Sequence, residues 1–429
     1  MGGSPEPWPS YADRMNVGIV GLGYVGLPLA VSFCEAGHRV VGVDVDPRKV
    51  GALKSCESYI EDVPSETLAE IAASFFPTLR FAELSRCEVV IVAVPTPLTR
   101  NREPDLGPLL AATSAIAAVL QRGQLIVLES TTYPGTTRER IVPLLEESGL
   151  GAGTEFNVAF SPERIDPGRT DYQMRNTPKV VGGLTPECLE RATGVYAEIC
   201  DEVVPVATPE VAELTKLLEN VFRSVNIALV NELAMLCDRM EIDIWEVVDA
   251  AATKPYGFMR FEPGPGMGGH CLPVDPFYLS WRAREFEYTT DFIELAGEVN
   301  QAMPRFCADK VARALNGHAK PVRNSRIAIL GVSYKAGVGD LRESPALKII
   351  TLLREQGAEI VYHDDYVPQL SEFGLASQPL DDALDGCDVA VIVTAHPNVD
   401  VDRVVDGAPL VVDFRGVTPR VGAPNLVRL

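Results

Sequence analysis

The hydrophobic pattern of the first part of the chain alternates short apolar runs with stretches of helical period. The apolar runs predict buried strands at residues 16–21, 39–44, 88–94 and 124–129. Residues 24–36 have the spacing of a helix. Buried strands separated by helices are typical of a parallel sheet covered on both faces. We therefore predict a doubly wound α/β domain over residues 15–204, after a loose polar arm at residues 1–14.

The pattern changes near residue 205, where apolar residues begin to recur with a helical period. Thr208, Pro209 and Glu210 form a helix start, with a hydroxyl cap, a proline in the first turn and an acid. The period continues to about Met240, which gives a helix roughly 45–50 Å long. More helical pattern follows to residue 305. We predict a central helical domain over residues 205–305 that joins two subunits; a long helix within one subunit is the alternative.

The final part of the chain returns to the alternation of strands and helices. A polar stretch predicts a linker over residues 306–325. Further strands are predicted at residues 326–331, 359–364, 387–394 and 409–414, with a helix at residues 344–356. A second sheet domain thus covers residues 326–429. The predicted fold class is α/β, with two Rossmann-like, doubly wound parallel-sheet domains joined by a central all-helical dimerisation domain.

Charge and composition narrow the classes of partner. The 59 Asp and Glu residues outnumber the 38 Lys and Arg residues, and a net charge of -21 argues against a nucleic-acid partner. No apolar run reaches the length of a membrane span, and the first residues lack the basic and apolar regions of a secretory signal. Nine cysteines without a CxxC pair indicate a reduced, cytoplasmic protein.

A glycine pattern after the first predicted strand indicates a dinucleotide site. In the run GLGYVG, Gly21 allows a tight turn, Gly23 lets a pyrophosphate approach the backbone, and Gly26 lets helix and strand pack closely. Asp44 ends the second strand, where an acid can accept the ribose hydroxyls and would repel a 2′-phosphate. We therefore predict NAD rather than NADP. Lys49 either flanks the adenosine or is a solvated helix charge.

Hydroxyl side chains follow two of the predicted strands. Thr96 comes after the strand at residues 88–94, and Thr131 comes after the strand at residues 124–129. Loops at the carboxyl ends of parallel strands meet the ligand in such sheets. Both threonines are therefore candidates for contact with the cofactor or with a reacting water, and ordinary loop capping is the alternative.

One cysteine lies in a segment that is unusually rich in glycine and proline. Cys271 falls within residues 263–278, for which we predict a stiff loop. A thiol held in a stiff loop suits covalent catalysis at a carbonyl, and together with a dinucleotide site it predicts an oxidation through a thioester. Asp275 lies in the same segment and could hold a water or assist proton transfer. His270, Cys271 and Asp275 match no zinc spacing, so no metal is predicted.

Other polar residues complete the candidate site. Lys216 and Asn220 are four residues apart on the long predicted helix, where they share a face and could stabilise an oxyanion. The alternative is a solvated Lys216 paired with Glu213 or Glu219. Glu163, in the rigid run SPERIDPG, is a further candidate, and a structural carboxylate bonded to loop amides is the alternative.

A loop of the second sheet domain has the character of an anion site. Lys335 and Arg342 lie in the run YKAGVGDLRESP, between a predicted strand and a predicted helix. A helix start favours anionic groups, and these two side chains would supply counter-charge. A diphosphate could bind there.

Four motifs of the chain resemble those of the nucleotide-sugar 6-dehydrogenases, the UDP-glucose/GDP-mannose dehydrogenase family. They are GLGYVG with Asp44, ELTKLLEN, GGHCLPVD and YKAGVGDLRESPA, and the resemblance runs from about residue 15 to the end. It implies an NAD-binding domain, a central dimerisation domain and a nucleotide-sugar domain. His270 before Cys271 and the run SPERIDPG look more like the UDP-N-acetylhexosamine branch. The hexose (glucose, GlcNAc or ManNAc) and the base (uracil or thymine) stay open.

The resemblance also implies roles for matching residues. By this resemblance, Cys271 is the nucleophile, and Lys216 and Asn220 stabilise oxyanions. Asp275 and Thr131 hold a water, and Glu163 assists thioester hydrolysis. Thr96 contacts NAD, Arg342 lies near the cofactor, Lys335 contacts the sugar nucleotide, and Arg260 reaches a neighbouring subunit's sugar. The implied reaction is a four-electron oxidation of the hexose 6-hydroxyl to a uronic acid, through a thiohemiacetal and a thioester. It would serve polysaccharide or secondary-metabolite sugar biosynthesis.

Two other functions are compatible with parts of the pattern. A hydroxy-acid dehydrogenase of the 6-phosphogluconate type also has a helical middle domain with a Lys–Asn pair, but it needs no cysteine and makes one NADH per substrate. A nucleotide-sugar sensor would keep both sheets and bind without turnover. The presence of Cys271, Lys216, Asn220 and Asp275 together argues against the sensor.

Overall fold

A computed structural model describes residues 14–60, 62–99, 103–165, 171–269, 271–418 and 422–429. Of residues 271–274 it describes the backbone, and their side chains lie outside the description, as does all of His270. All but the last residue of the predicted N-terminal arm also lies outside it. The chain divides into two compact units, one up to Leu217 and one from Leu218 onwards.

The first unit is built on one eight-stranded sheet. Its strands are β1 (Asn16–Val20), β2 (Arg39–Val43), β3 (Phe75–Thr78), β4 (Val89–Val92), β5 (Leu125–Leu128), β6 (Asn157–Phe160), β7 (Lys179–Gly183) and β8 (Val203–Val206). Their order in the sheet is β3-β2-β1-β4-β5-β6-β7-β8. Neighbouring strands are parallel except for β6 and β7, which are antiparallel. The helices are α1 (Gly26–Glu35), α2 (Pro47–Lys54), α3 (Ser65–Ile71), α4 (Gly107–Ala117), α5 (Val142–Glu146), α6 (Pro186–Ala197) and the first part of α7 (Pro209–Met240).

The second unit combines helices with a smaller parallel sheet. Its helices are the rest of α7, α8 (Ile244–Ala252), α9 (Cys271–Arg284), α10 (Asp291–Gly317), α11 (Pro345–Glu355), α12 (Leu380–Leu384) and α13 (Val401–Gly407). Its strands are β9 (Arg326–Leu330), β10 (Glu359–His363), β11 (Gln369–Leu370), β12 (Leu375–Ala376), β13 (Val389–Ile392), β14 (Val411–Asp413) and β15 (Leu426–Arg428). The sheet order is β10-β9-β13-β14-β15, and β11 pairs separately with β12.

The predicted α/β fold class is confirmed, with one mostly parallel sheet, one parallel sheet and a helical region between them in the chain. Each of the eight predicted strands is present, with ends within two residues of the prediction. The apolar runs form strands because both faces are covered: β4 and β5 are buried at every position. In the described part of the chain, no helix has both the length and the hydrophobicity required to cross a membrane.

Two local predictions about the central region are wrong. Cys271 and Asp275 do not lie in a stiff loop, because α9 begins at Cys271. A proline in the first turn of a helix sacrifices no backbone hydrogen bond, so Pro273 is compatible with a helix there. The predicted linker is also partly helical, because α10 passes Pro304 and ends at Gly317. Burial of side chains on both sides of Pro304 outweighs the lost hydrogen bond; they are Met303, Cys307, Val311 and Leu315.

Candidate functional site

The turn between β1 and α1 has the shape that a dinucleotide requires. Gly21 has a φ of +94°, its amide donates to the Val43 carbonyl at 2.8 Å, and a Cβ there would lie 2.5 Å from the carbonyl oxygen of Ala93. A Cβ on Gly26 would lie 1.8 Å from the Gly21 carbonyl oxygen. A Cβ on Gly23 would meet no heavy atom within 4 Å. Gly21 and Gly26 thus allow close backbone packing, whereas Gly23 borders open space that can hold a pyrophosphate.

Asp44 lies beside this turn at the end of β2. Its Oδ2 accepts the Leu22 amide at 2.9 Å, and its Oδ1 accepts the Asp46 amide at 2.9 Å. Lys49 forms an ion pair with Asp44, with 3.5 Å between Nζ and Oδ2, and its Nζ lies 5.7 Å from the ring centre of Tyr59. Lys49 is therefore placed beside the acid rather than free in solvent. Its contact with adenosine stays a prediction.

The loops after β4 and β5 are bonded to each other. The Thr96 hydroxyl donates to the Thr131 carbonyl at 2.7 Å, and the Ser130 hydroxyl donates to the Val94 carbonyl at 2.7 Å. Because β4 and β5 are parallel neighbours, their carboxyl ends bring the two predicted threonines together. Thr96 is 2% exposed and Thr131 is half-buried, so Thr131 is the better placed of the two to meet a ligand.

A buried acid on α7 holds the segment that follows Thr131. The Glu213 carboxylate accepts the Gly135 amide at 2.6 Å, the Thr137 amide at 2.8 Å and the Thr137 hydroxyl at 2.7 Å. Burial raises the pKa of Glu213 to about 7 against the opposing effect of these donors. Lys216, one turn further along α7, is 9% exposed. The alternative of a solvated Lys216, paired with Glu213 or Glu219, is therefore wrong about the solvation.

Glu163 follows β6 and is fixed by its own loop and by a lysine. Its Oε1 accepts the Arg164 amide at 2.7 Å and the Ile165 amide at 2.6 Å, and its Oε2 lies 3.2 Å from Lys179 Nζ. Burial alone raises the pKa of Glu163, but the Lys179 ammonium, the Ile165 amide and the charge of Lys216 together hold it below its ordinary value. Glu163 is therefore a carboxylate at neutral pH.

In the second unit, two predicted site residues from distant parts of the sequence meet. Asn220 on α7 donates from its side-chain amide to Asp275 Oδ2 on α9. Asp275 is 1% exposed, so its carboxylate depends on such donors. Cys271 begins α9 one turn before Asp275. Its side chain lies outside the described part of the structure, so its role stays a prediction.

The glycine-rich segment before Cys271 is anchored by two buried asparagines. The Gly264 amide donates to Asn231 Oδ1 at 2.9 Å, and the Asn231 side-chain amide donates to Asn300 Oδ1 at 2.9 Å. At the other end the Gly269 amide donates to the Arg342 carbonyl at 2.8 Å. The cysteine-bearing segment is thus tied to α7, to α10 and to the loop that was predicted to bind a diphosphate.

The predicted anion loop of the second unit is ordered by hydrogen bonds. The Ser333 hydroxyl donates to the Lys335 carbonyl at 2.8 Å, and the Gly337 amide donates to His396 Nδ1 at 3.1 Å. Lys335 is half-buried. Arg342 lies against Asp340, with 2.6 Å between Nη2 and Oδ2. Lys335 and Arg342 thus lie in a loop that is ordered by hydrogen bonds. The contacts of their side chains with a ligand stay predictions.

Arg260 lies in an exposed segment of the second unit. Its guanidinium pairs with Asp249, with 2.7 Å between Nη1 and Oδ1, and with Glu262, with 3.2 Å between Nε and Oε1. Both partners are acids of the same unit, so they would compete with a bound sugar for this guanidinium. The contact of Arg260 with the sugar of a neighbouring subunit stays a prediction.

Sequence reasoning missed a buried charged group beside Glu163. Lys179 begins β7 and contacts Glu129 as well as Glu163, and Tyr196 on α6 donates its hydroxyl to Glu129. The available signal was weak: Glu129 ends an apolar run, and Lys179 precedes the apolar residues of β7. The antiparallel direction of β7, which brings them together, has no local signature.

Comparison with known proteins connects all three regions of the chain to one family. Models of the UDP-glucose/GDP-mannose dehydrogenase family match at residues 15–200 for the NAD binding domain, 210–302 for the central domain and 328–420 for the UDP binding domain. A UDP-N-acetyl-D-glucosamine 6-dehydrogenase of Pseudomonas aeruginosa is 36% identical over 397 residues, which cover 91% of this chain and 93% of the relative.

Two further relatives are also similar to this chain over nearly its whole length. An NDP-N-acetyl-D-galactosaminuronic acid dehydrogenase of Ralstonia solanacearum is 34% identical over 418 residues, covering 94% of this chain and 96% of the relative. A solved structure of a UDP-D-ManNAc dehydrogenase from Pyrococcus horikoshii superposes with a TM-score of 0.89 at 33% identity, covering 96% of this chain and 99% of that one. The likeness thus extends over nearly the whole chain.

The glycine turn gives a matched pair of predictions. Gly23→Ala should leave the melting temperature close to wild type, because the methyl group enters open space, but should weaken NAD binding by about tenfold or more, because a methyl group there crowds the pyrophosphate. Gly26→Ala should lower the melting temperature, because the Gly21 carbonyl must move, at a cost of about 1–3 kcal/mol. Thermal unfolding and NAD titration by calorimetry measure both effects. Unchanged NAD affinity of Gly23→Ala would contradict the assignment.

Proposed function

Because the chain belongs to the UDP-glucose/GDP-mannose dehydrogenase family, we propose that its substrate is a UDP-N-acetylhexosamine. The protein is an NAD-dependent nucleotide-sugar 6-dehydrogenase. The names of its relatives include GlcNAc, GalNAc-uronic acid and ManNAc enzymes, which supports an N-acetylated hexose without selecting one. The runs SPERIDPG and GGHC support the same branch. The product is then a UDP-N-acetylhexosaminuronic acid for polysaccharide biosynthesis.

The cofactor fits the first unit. The open space at Gly23 and the start of α1 accommodate the pyrophosphate, and Asp44 lies where the ribose hydroxyls of the adenosine would be. Two NAD molecules, bound one after the other, would supply one hydride acceptor for each oxidation step. Thr131, at the end of β5, borders the same edge of the sheet as the glycine turn.

Cys271 carries the covalent chemistry in this proposal. Its thiolate adds to the C6 aldehyde left by the first oxidation and forms a thiohemiacetal. Loss of a second hydride turns the thiohemiacetal into a thioester. A water oxygen then bonds to the acyl carbon, the C–S bond breaks, and a proton returns to the sulfur. A thiol suits this sequence because it is strongly nucleophilic as the thiolate and a good leaving group from the acyl carbon.

Further polar groups support the steps at C6 in this proposal. Lys216 and Asn220 stabilise the negative charge that develops on the substrate oxygen, as buried donors do in such sites. Asp275, fixed by Asn220, holds a water near the start of α9. Thr131 and Glu163 supply acceptors for the hydrolytic water, and Glu163 suits that task because it stays ionised. In the second unit, Lys335 contacts the diphosphate of the sugar nucleotide.

The function predicts a definite stoichiometry. When UDP-GlcNAc, UDP-ManNAc and UDP-GalNAc are offered separately, one of the three should be oxidised with two NADH formed per uronic acid. The kcat/KM for that sugar nucleotide should be at least about tenfold above the kcat/KM for UDP-glucose. NADH absorbance and product mass spectrometry provide the ratio. One NADH per substrate would favour a single-step dehydrogenase, and binding without NADH would favour a sensor. Preference for UDP-glucose or a TDP-hexose would contradict the substrate while leaving the class intact.

The nucleophile can be tested by one conservative change. Cys271→Ser should lower uronic acid formation at least about 1000-fold while the affinity for the sugar nucleotide is kept, because a serine hydroxyl cannot replace the thiolate. Cys56→Ser is the matched control, since Cys56 is a half-buried free thiol outside the site. Product assays and calorimetry with the sugar nucleotide measure the two effects. Full oxidation to the acid by Cys271→Ser would refute the assignment.

The long helix supports a homodimer. In the second unit α7 exposes an apolar stripe with spacings of three, four and seven residues: Leu218, Phe222, Leu229, Leu233, Leu236 and Met240, exposed by 40–63%. Such a stripe needs cover, and its 3–4 spacing is the pattern by which a helix packs against a copy of itself. A symmetric pair buries the stripe of each subunit at once. We propose that α7 forms the centre of this interface.

The dimer is testable by charge insertion. Leu233→Asp should raise the dimer dissociation constant at least about 100-fold, since each apolar side chain of this size contributes about 1.5–3 kcal/mol when buried and the change occurs twice. Arg223→Asp, roughly a quarter turn around the same helix, is the control and should stay dimeric. Light scattering across a dilution series gives the mass. A monomeric wild type, or a dimer insensitive to Leu233→Asp, would contradict the interface.

We also propose a cytoplasmic location. The eight cysteines whose side chains the structure describes are free thiols, and seven of them are buried. Burial raises the pKa of Cys34 and of Cys87 to about 12, which makes these thiols unreactive. Structural thiols of this kind are typical of a reducing compartment.

A further inference from the structure

A buried lysine lies between two carboxylates at the edge of the first sheet. Lys179 is 3% exposed at its side chain, and its Nζ lies 3.2 Å from Glu129 Oε2 and 3.2 Å from Glu163 Oε2. Glu129 is fully buried and Glu163 is 12% exposed. A lysine is almost never buried to this degree unless it is paired, so the two acids are what allow it there.

The sheet topology explains why these three residues meet. Glu129 follows β5 and Glu163 follows β6, so both lie at the edge where the parallel strands end. β7 is antiparallel to β6 and therefore begins at that edge with Lys179. The three side chains come from three strands that are neighbours in the sheet.

Glu129 is held from its other side. The Tyr196 hydroxyl donates to Glu129 Oε1, and Lys179 Nζ lies 5.2 Å from the centre of the Tyr196 ring. Burial raises the pKa of Glu129. Burial alone lowers the pKa of Lys179, but the two acids outweigh it and raise the pKa above its ordinary value. Lys179 is therefore permanently charged, and Glu129 with Tyr196 anchors it.

Glu163 has no freedom of orientation in this arrangement. Its Oε1 accepts two backbone amides, of Arg164 and Ile165, and its Oε2 accepts from Lys179. The titratable and charged groups that act on this cluster from the neighbouring elements are Lys179 on β7, Lys216 on α7, Glu129 after β5, Tyr196 on α6 and Cys200 after α6. Lys179 is the cation that contacts Glu163 directly and acts on it most strongly.

We infer that Lys179 is a positioning residue of the reaction, which keeps Glu163 ionised and aimed for the hydrolysis of the thioester. The inference rests on the proposed role of Glu163 in that step. Lys179 itself does not touch the reacting atoms in this assignment. A purely structural role, in which the triad only joins the ends of β5, β6 and β7, is the alternative that the experiment must separate.

The test follows the decay of the acyl-enzyme as a function of pH in the full-length enzyme. Acid quench and intact-mass spectrometry measure the thioester directly, so ionisation of the free thiol does not enter. Lys179→Met removes the cation and leaves Glu163 buried beside Glu129, which favours its protonated form. We expect the acid limb of the profile to move to about pH 8, several pH units above that of the wild type, so that hydrolysis falls about tenfold at pH 7 and most of the rate is regained near pH 9.

Two further variants separate charge from folding. Glu129→Gln keeps the Lys179–Glu163 pair, so its acid limb should stay at or below that of the wild type. The double variant Glu129→Gln with Lys179→Met removes one acid together with the lysine and still lacks the cation next to Glu163. It should show the raised limb even if Lys179→Met alone does not fold.

The outcomes distinguish the two proposals. A wild-type acid limb in the lysine variants, or a loss of rate that is equal at every pH, would overturn the role of Lys179 if Glu163→Gln accumulates thioester. Wild-type hydrolysis by Glu163→Gln would overturn the role of Glu163 and this inference with it. Accumulation of thioester in Glu163→Gln together with a raised limb in both lysine variants is the expected result.

Discussion

Strand direction at one edge of the first sheet is the constraint on which the candidate site depends. β1, β4, β5 and β6 run parallel, so the segments that follow them lie along one edge and bring the glycine turn, Thr96, Thr131 and Glu163 to the same side. β7 is reversed and therefore starts there. A parallel β7 of the same five residues would place Lys179 about 16 Å away at the other edge. The reversal of one strand thus decides whether Glu163 has a cation beside it.

Charge burial imposes the next constraint. An isolated carboxylate in the position of Glu163 would lose its hydration and take up a proton, so the ionised form persists because donors surround it. The cluster joins the carboxyl groups of Glu129 and Glu163 through the ammonium of Lys179, and Lys216 acts on Glu163 from α7. Asp275 in the second unit is served by the neutral amide of Asn220. The two acids of the proposed mechanism thus both accept from side-chain donors, an ammonium for Glu163 and an amide for Asp275.

The sequence predicted what depends on local periodicity and missed what depends on tertiary pairing. Apolar runs located β1, β2, β4 and β5 within two residues, because strands buried on both faces are continuously apolar. Local rules misjudged the segment at Cys271, where Pro273 is compatible with a first helical turn and Pro276 lies inside the helix. They also misjudged the region after Pro304, where core packing sustains α10. Most of the candidate site residues named from the sequence lie within motifs, and their roles stay predictions. Lys179 and Glu129 are single charges at strand ends, and their meeting depends on the order and direction of the strands.

Both sheets have a glycine turn after the first strand and an aspartate that accepts an amide of this turn, but the two aspartates differ in their remaining hydrogen-bonding capacity. Gly21 and Gly331 each follow the first strand of their sheet and have a positive φ. The residue after each glycine donates its amide to an aspartate: Leu22 to Asp44 at 2.9 Å, and Val332 to Asp364 at 2.7 Å. An ionised carboxylate has about four acceptor positions. Asp44 accepts two backbone amides and an ion pair, so it retains capacity for a ribose. Asp364 accepts the amides of four residues, Val332, Ser333, Tyr366 and Val367, and also faces His396 Nε2 at 3.0 Å. Its capacity is full, so this acid, unlike Asp44, has no acceptor position left for a ribose. The proposed contact of the sugar nucleotide with the second unit is therefore through its diphosphate and the loop that carries Lys335, which the buried Asp364–His396 pair holds in shape.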